Sequence, residues 1–204
     1  TYLRTNGTNV RTLAVDANNN VWAGGYGNLV HDLLDGITGA TLRTIFPACG
    51  GYGGLIDSHG VLWSSYHPYS LLRFDPVTNN TLCIPIPGAY GLGVDSGGVI
   101  WNSRFNHDSI TRVSPSGTVL GTMSTHGSDS RGVTVTSDDN VWVANSGSHT
   151  VARLRNDGTL VTTIPVGNTP TGLAVDAAGK VWVTNYGSSN AMRIDPATNS
   201  VDLT

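Results

Sequence analysis

Three histidines follow tryptophans in what read as loops. His67, His107 and His149 stand four, six and seven residues after Trp63, Trp101 and Trp142, and Asp108 adjoins the second. Imidazole and carboxylate ligands of this kind could converge on a metal ion. Their unequal offsets point to different radii, so neither a metal nor a cofactor is expected, and the three histidines stand as metal candidates only. A second set falls at two fixed phases. Eleven residues before the five tryptophans stand Arg11, Tyr52, Tyr90, Arg131 and Thr171, and three residues after them stand Gly25, Tyr66, Arg104, Asn145 and Asn185. Arginine offers a planar fork for carboxylate, sulfate or phosphate, tyrosine a flat face with a hydroxyl, and asparagine both a donor and an acceptor. Arg11, Tyr52, Tyr66, Tyr90, Arg104, Arg131, Asn145 and Asn185 thus compose a candidate ligand-binding mouth suited to an acidic sugar or a peptide carboxylate. Alternatively they cap a channel, bonded to one another and to water. Glutamate is absent, and there is no Gly-x-Ser-x-Gly, no phosphate loop and no paired carboxylates. Hydrolase and nucleotide chemistry lose ground accordingly.

These phases are set by a repeat. Trp22, Trp63, Trp101, Trp142 and Trp182 are spaced by 41, 38, 41 and 40 residues. Six residues before Trp stands Asp16, Asp57, Asp95 or Asp176, with Thr136 the exception. With no second acid at calcium-loop spacing, the aspartate reads as a turn former. Three residues before Trp come Asn19, Gly60, Gly98, Asp139 and Gly179, types that tolerate the left-handed conformation of a tight hairpin. A third strand such as Leu71-Leu72-Arg73-Phe74 follows, then a turn such as Asp75-Pro76-Val77-Thr78-Asn79-Asn80, then a fourth strand. Four strands in about 40 residues, repeated, predict an all-β chain: a β-propeller of five four-stranded blades in one domain over residues 1–204. Each tryptophan is expected to pack between neighbouring blade sheets. Residues 1–5 and 201–204 both fall in the fourth-strand phase. A closed five-blade ring needs only one of them, whereas an arc of a six- or seven-blade ring would carry both. The closed ring is favoured, because an arc exposes edges and apolar faces.

Composition agrees. Charged residues make up 12% and Gly numbers 26; every acid is Asp, Gln is missing and Lys180 is the only lysine. Good helix formers are scarce while turn formers abound. A net charge of -3 predicts no nucleic-acid partner, and no apolar run predicts membrane insertion. The chain lacks an initiating Met and a signal peptide, and is expected to be a mature or excised piece. Cys49 and Cys83, 34 residues apart, fit no metal spacing; a disulfide competes with two inert thiols. Their elements border the second blade, and a bond is expected only if Cys49 lies on the outer part of the crossing into it.

The stretch Gly172-Leu-Ala-Val-Asp-Ala-Ala-Gly-Lys-Val-Trp-Val-Thr-Asn185 and its four relatives resemble the NHL-repeat propellers, and especially the streptogramin B (virginiamycin B) lyase family. The resemblance implies more than five blades, a catalytic His eleven residues before Trp and a catalytic Glu three after it. Neither residue type stands at either phase here. A non-catalytic propeller is therefore expected, extracellular or periplasmic, binding a glycan, an anionic ligand or a protein partner, within a larger protein or assembly. The alternatives are a lyase- or lactonase-like metal-dependent enzyme and a purely structural domain of an extracellular assembly.

Overall fold

The structure is a computed structural model that describes residues 4–204. Among the described residues there are twenty strands and no helix. They form five antiparallel meanders of four consecutive strands each. The first is β1 (Val10–Val15), β2 (Val21–Gly25), β3 (His31–Leu34) and β4 (Thr41–Ile45). The second is β5 (Gly54–Ile56), β6 (Leu62–Tyr66), β7 (Ser70–Asp75) and β8 (Asn80–Pro85). The third is β9 (Ala89–Val94), β10 (Ile100–Arg104), β11 (Ser109–Val113) and β12 (Val119–Ser124). The fourth is β13 (Ser130–Val135), β14 (Val141–Asn145), β15 (Thr150–Leu154) and β16 (Leu160–Pro165), and the fifth is β17 (Pro170–Val175), β18 (Val181–Asn185), β19 (Asn190–Asp195) and β20 (Ser200–Leu203). The chain groups into two compact units, residues 1–90 and 91–204, divided inside β9.

The turns follow the sequence chemistry. All five residues three before Trp have positive φ: Asn19, Gly60, Gly98, Asp139 and Gly179. So do Asn79 and Asn199 in the turns between third and fourth strands. These turns reverse the chain tightly enough for each meander to close in about 40 residues.

Each sheet takes all four strands from one continuous stretch, and the sheets are not closed. The shared seam strand of a closed five-blade ring is not found among the described residues. Of the surplus strand expected at residues 1–5, residues 1–3 lie outside the described residues, while Arg4 and Thr5 belong to no strand.

Packing within each unit runs from one meander to the next. Trp22 meets Leu62, Leu72 and Phe74 of the second meander in the first unit. In the second unit Trp101 meets Val133, Val141 and Val143 of the fourth meander, and Trp142 meets Val181, Val183 and Ile194 of the fifth. Trp22, Trp63, Trp101 and Trp142 are almost fully buried, whereas Trp182 is half-buried. Burying about 150–250 Å² per tryptophan is worth about 4–6 kcal/mol by area.

The repeated aspartate serves the indole as well as the turn. Nε1 of Trp63, Trp101 and Trp182 donates to Asp57, Asp95 and Asp176 at 2.9, 3.0 and 2.9 Å. Where Thr136 replaces the acid, its hydroxyl accepts from Trp142 at 3.0 Å. On the neighbouring strand an arginine faces each of four tryptophans across the ladder: Arg73, Arg112, Arg153 and Arg193 opposite Trp63, Trp101, Trp142 and Trp182. The guanidinium carbons lie 5.8, 5.0, 4.9 and 5.7 Å from the indole centroids. This is cation–π range.

Cys49 and Cys83 form a disulfide, with Cα atoms 6.0 Å apart. Cys49 follows the end of β4, an outer strand, by only four residues. It therefore lies on the outer part of the crossing, as the bond requires, and meets β8, the outer strand of the second meander.

Candidate functional site

The eight candidate ligand residues divide between the two units. Arg11, Tyr52, Tyr66 and Tyr90 belong to the first, and Arg104, Arg131, Asn145 and Asn185 to the second. Three of the five positions eleven before Trp share a backbone device. The β1–β2 register shifts between Val10 and Thr12, the β13–β14 register between Ser130 and Val133, and the β17–β18 register between Pro170 and Gly172. Arg11, Arg131 and Thr171 sit at these irregularities. A bulge leaves its extra residue unpaired and re-aims the side chain, so the sequence phase becomes a spatial one.

In the first unit the predicted residues come together. The Arg11 guanidinium carbon lies 5.0 Å from the Tyr52 ring centroid and 5.9 Å from that of Tyr26. Tyr52 and Tyr90 have centroids 4.9 Å apart, and the Tyr52 hydroxyl donates to that of Tyr90 at 3.0 Å. Tyr26 lies 5.4 Å from Tyr52 and 6.1 Å from Tyr66, and Tyr66 lies 5.5 Å from Tyr69. The His67 ring completes the cluster at 5.7 Å from Tyr52 and 5.6 Å from Tyr90, and its carbonyl accepts from the Tyr26 hydroxyl at 3.0 Å. Burial holds the His67 imidazole below its ordinary value, against the pull of a hydrogen bond to the Ala89 backbone. Arg11 and Tyr69 are exposed, and the other rings are half-buried. The result is an aromatic surface bearing one exposed cation and several hydroxyls. It can stack on a sugar ring or a flat side chain while pairing with an anion. Tyr26 and Tyr69 were not among the sequence candidates. Tyr26 stands four residues after Trp22, the phase His67 occupies after Trp63, and that signal could have found it.

In the second unit the candidates are more committed to the fold. Arg131 lies 4.8 Å above the Phe105 ring, and its Nη2 and Nε hold Asp129 at 3.0 and 3.2 Å. Arg104 donates from Nη1 to Ser109 Oγ at 3.3 Å. Asn145 is fully buried; its Nδ2 donates to the Thr125 carbonyl at 3.0 Å and its Oδ1 accepts from Ser130 Oγ at 3.2 Å. Asn185 is buried as well, with Nδ2 donating to Asn190 Oδ1 at 3.0 Å.

Among the described residues no group of three or more His, Cys, Asp or Glu side chains is arranged to hold a metal ion. His107 and His149 are exposed, and His149 Nδ1 accepts from the Thr169 amide at 3.1 Å. Among the described residues no helix is long and apolar enough to cross a membrane.

No protein-family model and no curated protein sequence matches the chain. Solved structures do. A streptogramin B lyase aligns with 99% of this chain and 70% of its own at a TM-score of 0.87 and 19% identity. The fold is that of the streptogramin B lyase propellers. Virginiamycin B lyase from Staphylococcus aureus gives a TM-score of 0.85 at 18% identity, over 99% of this chain and 71% of its own. A protein of unknown function from Bacteroides caccae gives 0.70 at 14%, over 99% and 83%. At such identities the likeness carries the architecture and leaves the chemistry to the residues.

Proposed function

We propose that this chain is a non-catalytic binding module, outside the cytoplasm, that presents the Arg11 and tyrosine surface to an anionic glycan. The observation that carries this reading is the stacking of Arg11 on Tyr26 and Tyr52 beside the Tyr52–Tyr90 hydroxyl pair. A carboxylate or sulfate would pair with the guanidinium, and the sugar ring would lie on a tyrosine face. The Cys49–Cys83 bond supports an extracellular or periplasmic setting, where disulfides persist. The same surface would also suit an acidic segment of a protein partner, and the module would serve within a larger assembly. Neither nucleic acid nor a bilayer is a partner in this reading.

A panel of acidic and neutral oligosaccharides tests it. Acidic members should bind more tightly, with affinity falling as salt rises past about 0.15 M. Arg11→Ala should weaken them by about 1.5–3 kcal/mol, the range for a charge-assisted hydrogen bond, and leave the fold intact. Equal binding of both classes, or binding of neither, would reduce the cluster to a structural cap. The second reading, a lyase- or lactonase-like enzyme, rests on the TM-score of 0.87 to a streptogramin B lyase.

A further inference from the structure

The fifth meander carries an open hollow of about 590 Å³, lined by Thr171, Thr184, Asn185, Tyr186, Ser189 and Asn190. No side chain on its wall is charged. Tyr186 offers a ring that is 81% exposed. Asn185 is 1% exposed, and its Oδ1 has no hydrogen-bond partner.

The fourth meander explains why. Asn145 stands in the same place, and in each case the first residue of the inner strand faces the asparagine across the ladder: Ser130 opposite Asn145, Pro170 opposite Asn185. Ser130 donates its hydroxyl to Asn145 Oδ1. Pro170 has none to give. Turning the Asn185 amide over would only exchange which of its atoms lacks a partner. A buried amide left this way favours any ligand that supplies the missing bond.

We infer that this hollow binds a neutral saccharide. A sugar hydroxyl donates to Asn185 Oδ1 while Asn185 Nδ2 keeps its bond to Asn190, and the apolar face of the pyranose ring lies on Tyr186. The threonine, serine and asparagine side chains around them match the remaining hydroxyls, and the lack of charge disfavours acidic sugars. This inference stands apart from the Arg11 reading, because it uses the fifth meander, taking Asn185 from among the eight sequence candidates, and a wall without charge.

The test is a titration of the whole chain, followed by amide NMR, with methyl glycosides of glucose, galactose, mannose and N-acetylglucosamine. At least one should give saturable shifts within residues 171–191, unchanged by salt well above about 0.15 M. Tyr186→Ala, at an exposed position, should keep the fold and weaken binding at least about tenfold. Pro170→Ser should hand Asn185 the internal partner that Ser130 gives Asn145. It should therefore weaken binding comparably while raising resistance to urea, a pairing that a merely structural Asn185 would not produce. Absence of saturable shifts with all four glycosides would overturn the proposal, as would binding unaffected by both variants. So would concentration-dependent self-association lost in Tyr186→Ala without any sugar effect, which would assign the face to a second copy. Failure with acidic oligosaccharides would bear only on the Arg11 surface.

Discussion

Asp57 shows how one side chain joins turn and core. Its Oδ1 accepts the amides of His59 and Val61 at 2.9 and 3.0 Å, while Oδ2 takes the Trp63 indole N–H. The hairpin and the indole's orientation are thereby held by one carboxylate. Asp57→Ala leaves three donors without this partner and should cost about 1–3 kcal/mol in urea unfolding. Asp57→Thr should lose less, since Thr136 performs the indole half of the role for Trp142. Equal losses would show that the indole bond contributes little. The turn role was legible from the aspartate's position. The indole role was not, because it depends on the tryptophan rotamer. Nor were the stacked arginines, whose places opposite the tryptophans follow from strand register, which a third-strand motif leaves open.

Between elements, the first and second meanders are joined by a polar network as well as by the disulfide. His31 is fully buried on β3. Its Nδ1 donates to the Leu29 carbonyl at 2.8 Å, so Nε2 accepts from Ser64 Oγ on β6 at 3.2 Å. Ser64 Oγ also receives the Gly51 amide and meets Thr12 Oγ1, each at 2.8 Å. Burial lowers the His31 pKa below its ordinary 6.5. As pH falls, protons therefore bind the unfolded chain first. The stability from neutral His31 is complete above 6.5 and declines as pH drops through that value towards the lower folded one. Urea midpoints measured from about pH 8 to about pH 5 should fall for the native chain. His31→Gln should flatten that slope without abolishing it, because His67 is shifted in the same direction. An unchanged slope would mean that His31 does not contribute. Sequence spacing gave His31 no partner, because Ser64 lies 33 residues away on another meander. The disulfide was legible only as a condition, since the path of one crossing loop decided it.

At the scale of the whole molecule, the repeat made the architecture readable: five tryptophans at near-constant spacing mark five meanders, and left-handed turn residues mark their hairpins. Ring closure was not readable, because terminal strand phase does not say which sheet a strand joins. The candidate site was legible in part. The phase before Trp located Arg11, Tyr52 and Tyr90, but it could not distinguish an exposed arginine from Arg131, whose charge Asp129 already holds. The same phases bear on the proposed non-catalytic role. A general base must lose its proton near the working pH, and it must reach the reacting atom. Arg11, Tyr52, Tyr90, Arg131 and Thr171 at one phase, with Gly25, Tyr66, Arg104, Asn145 and Asn185 at the other, include neither of the residue types, His and Glu, that the resemblance implies there. His67 is one residue beyond the second phase, with its ring packed against Tyr52 and Tyr90. Incubated with a streptogramin B antibiotic, residues 1–204 should consume it no faster than buffer does, with or without added divalent metal. Turnover above buffer that disappears in His67→Ala, with the fold retained, would overturn the binding-module reading and make His67 the base.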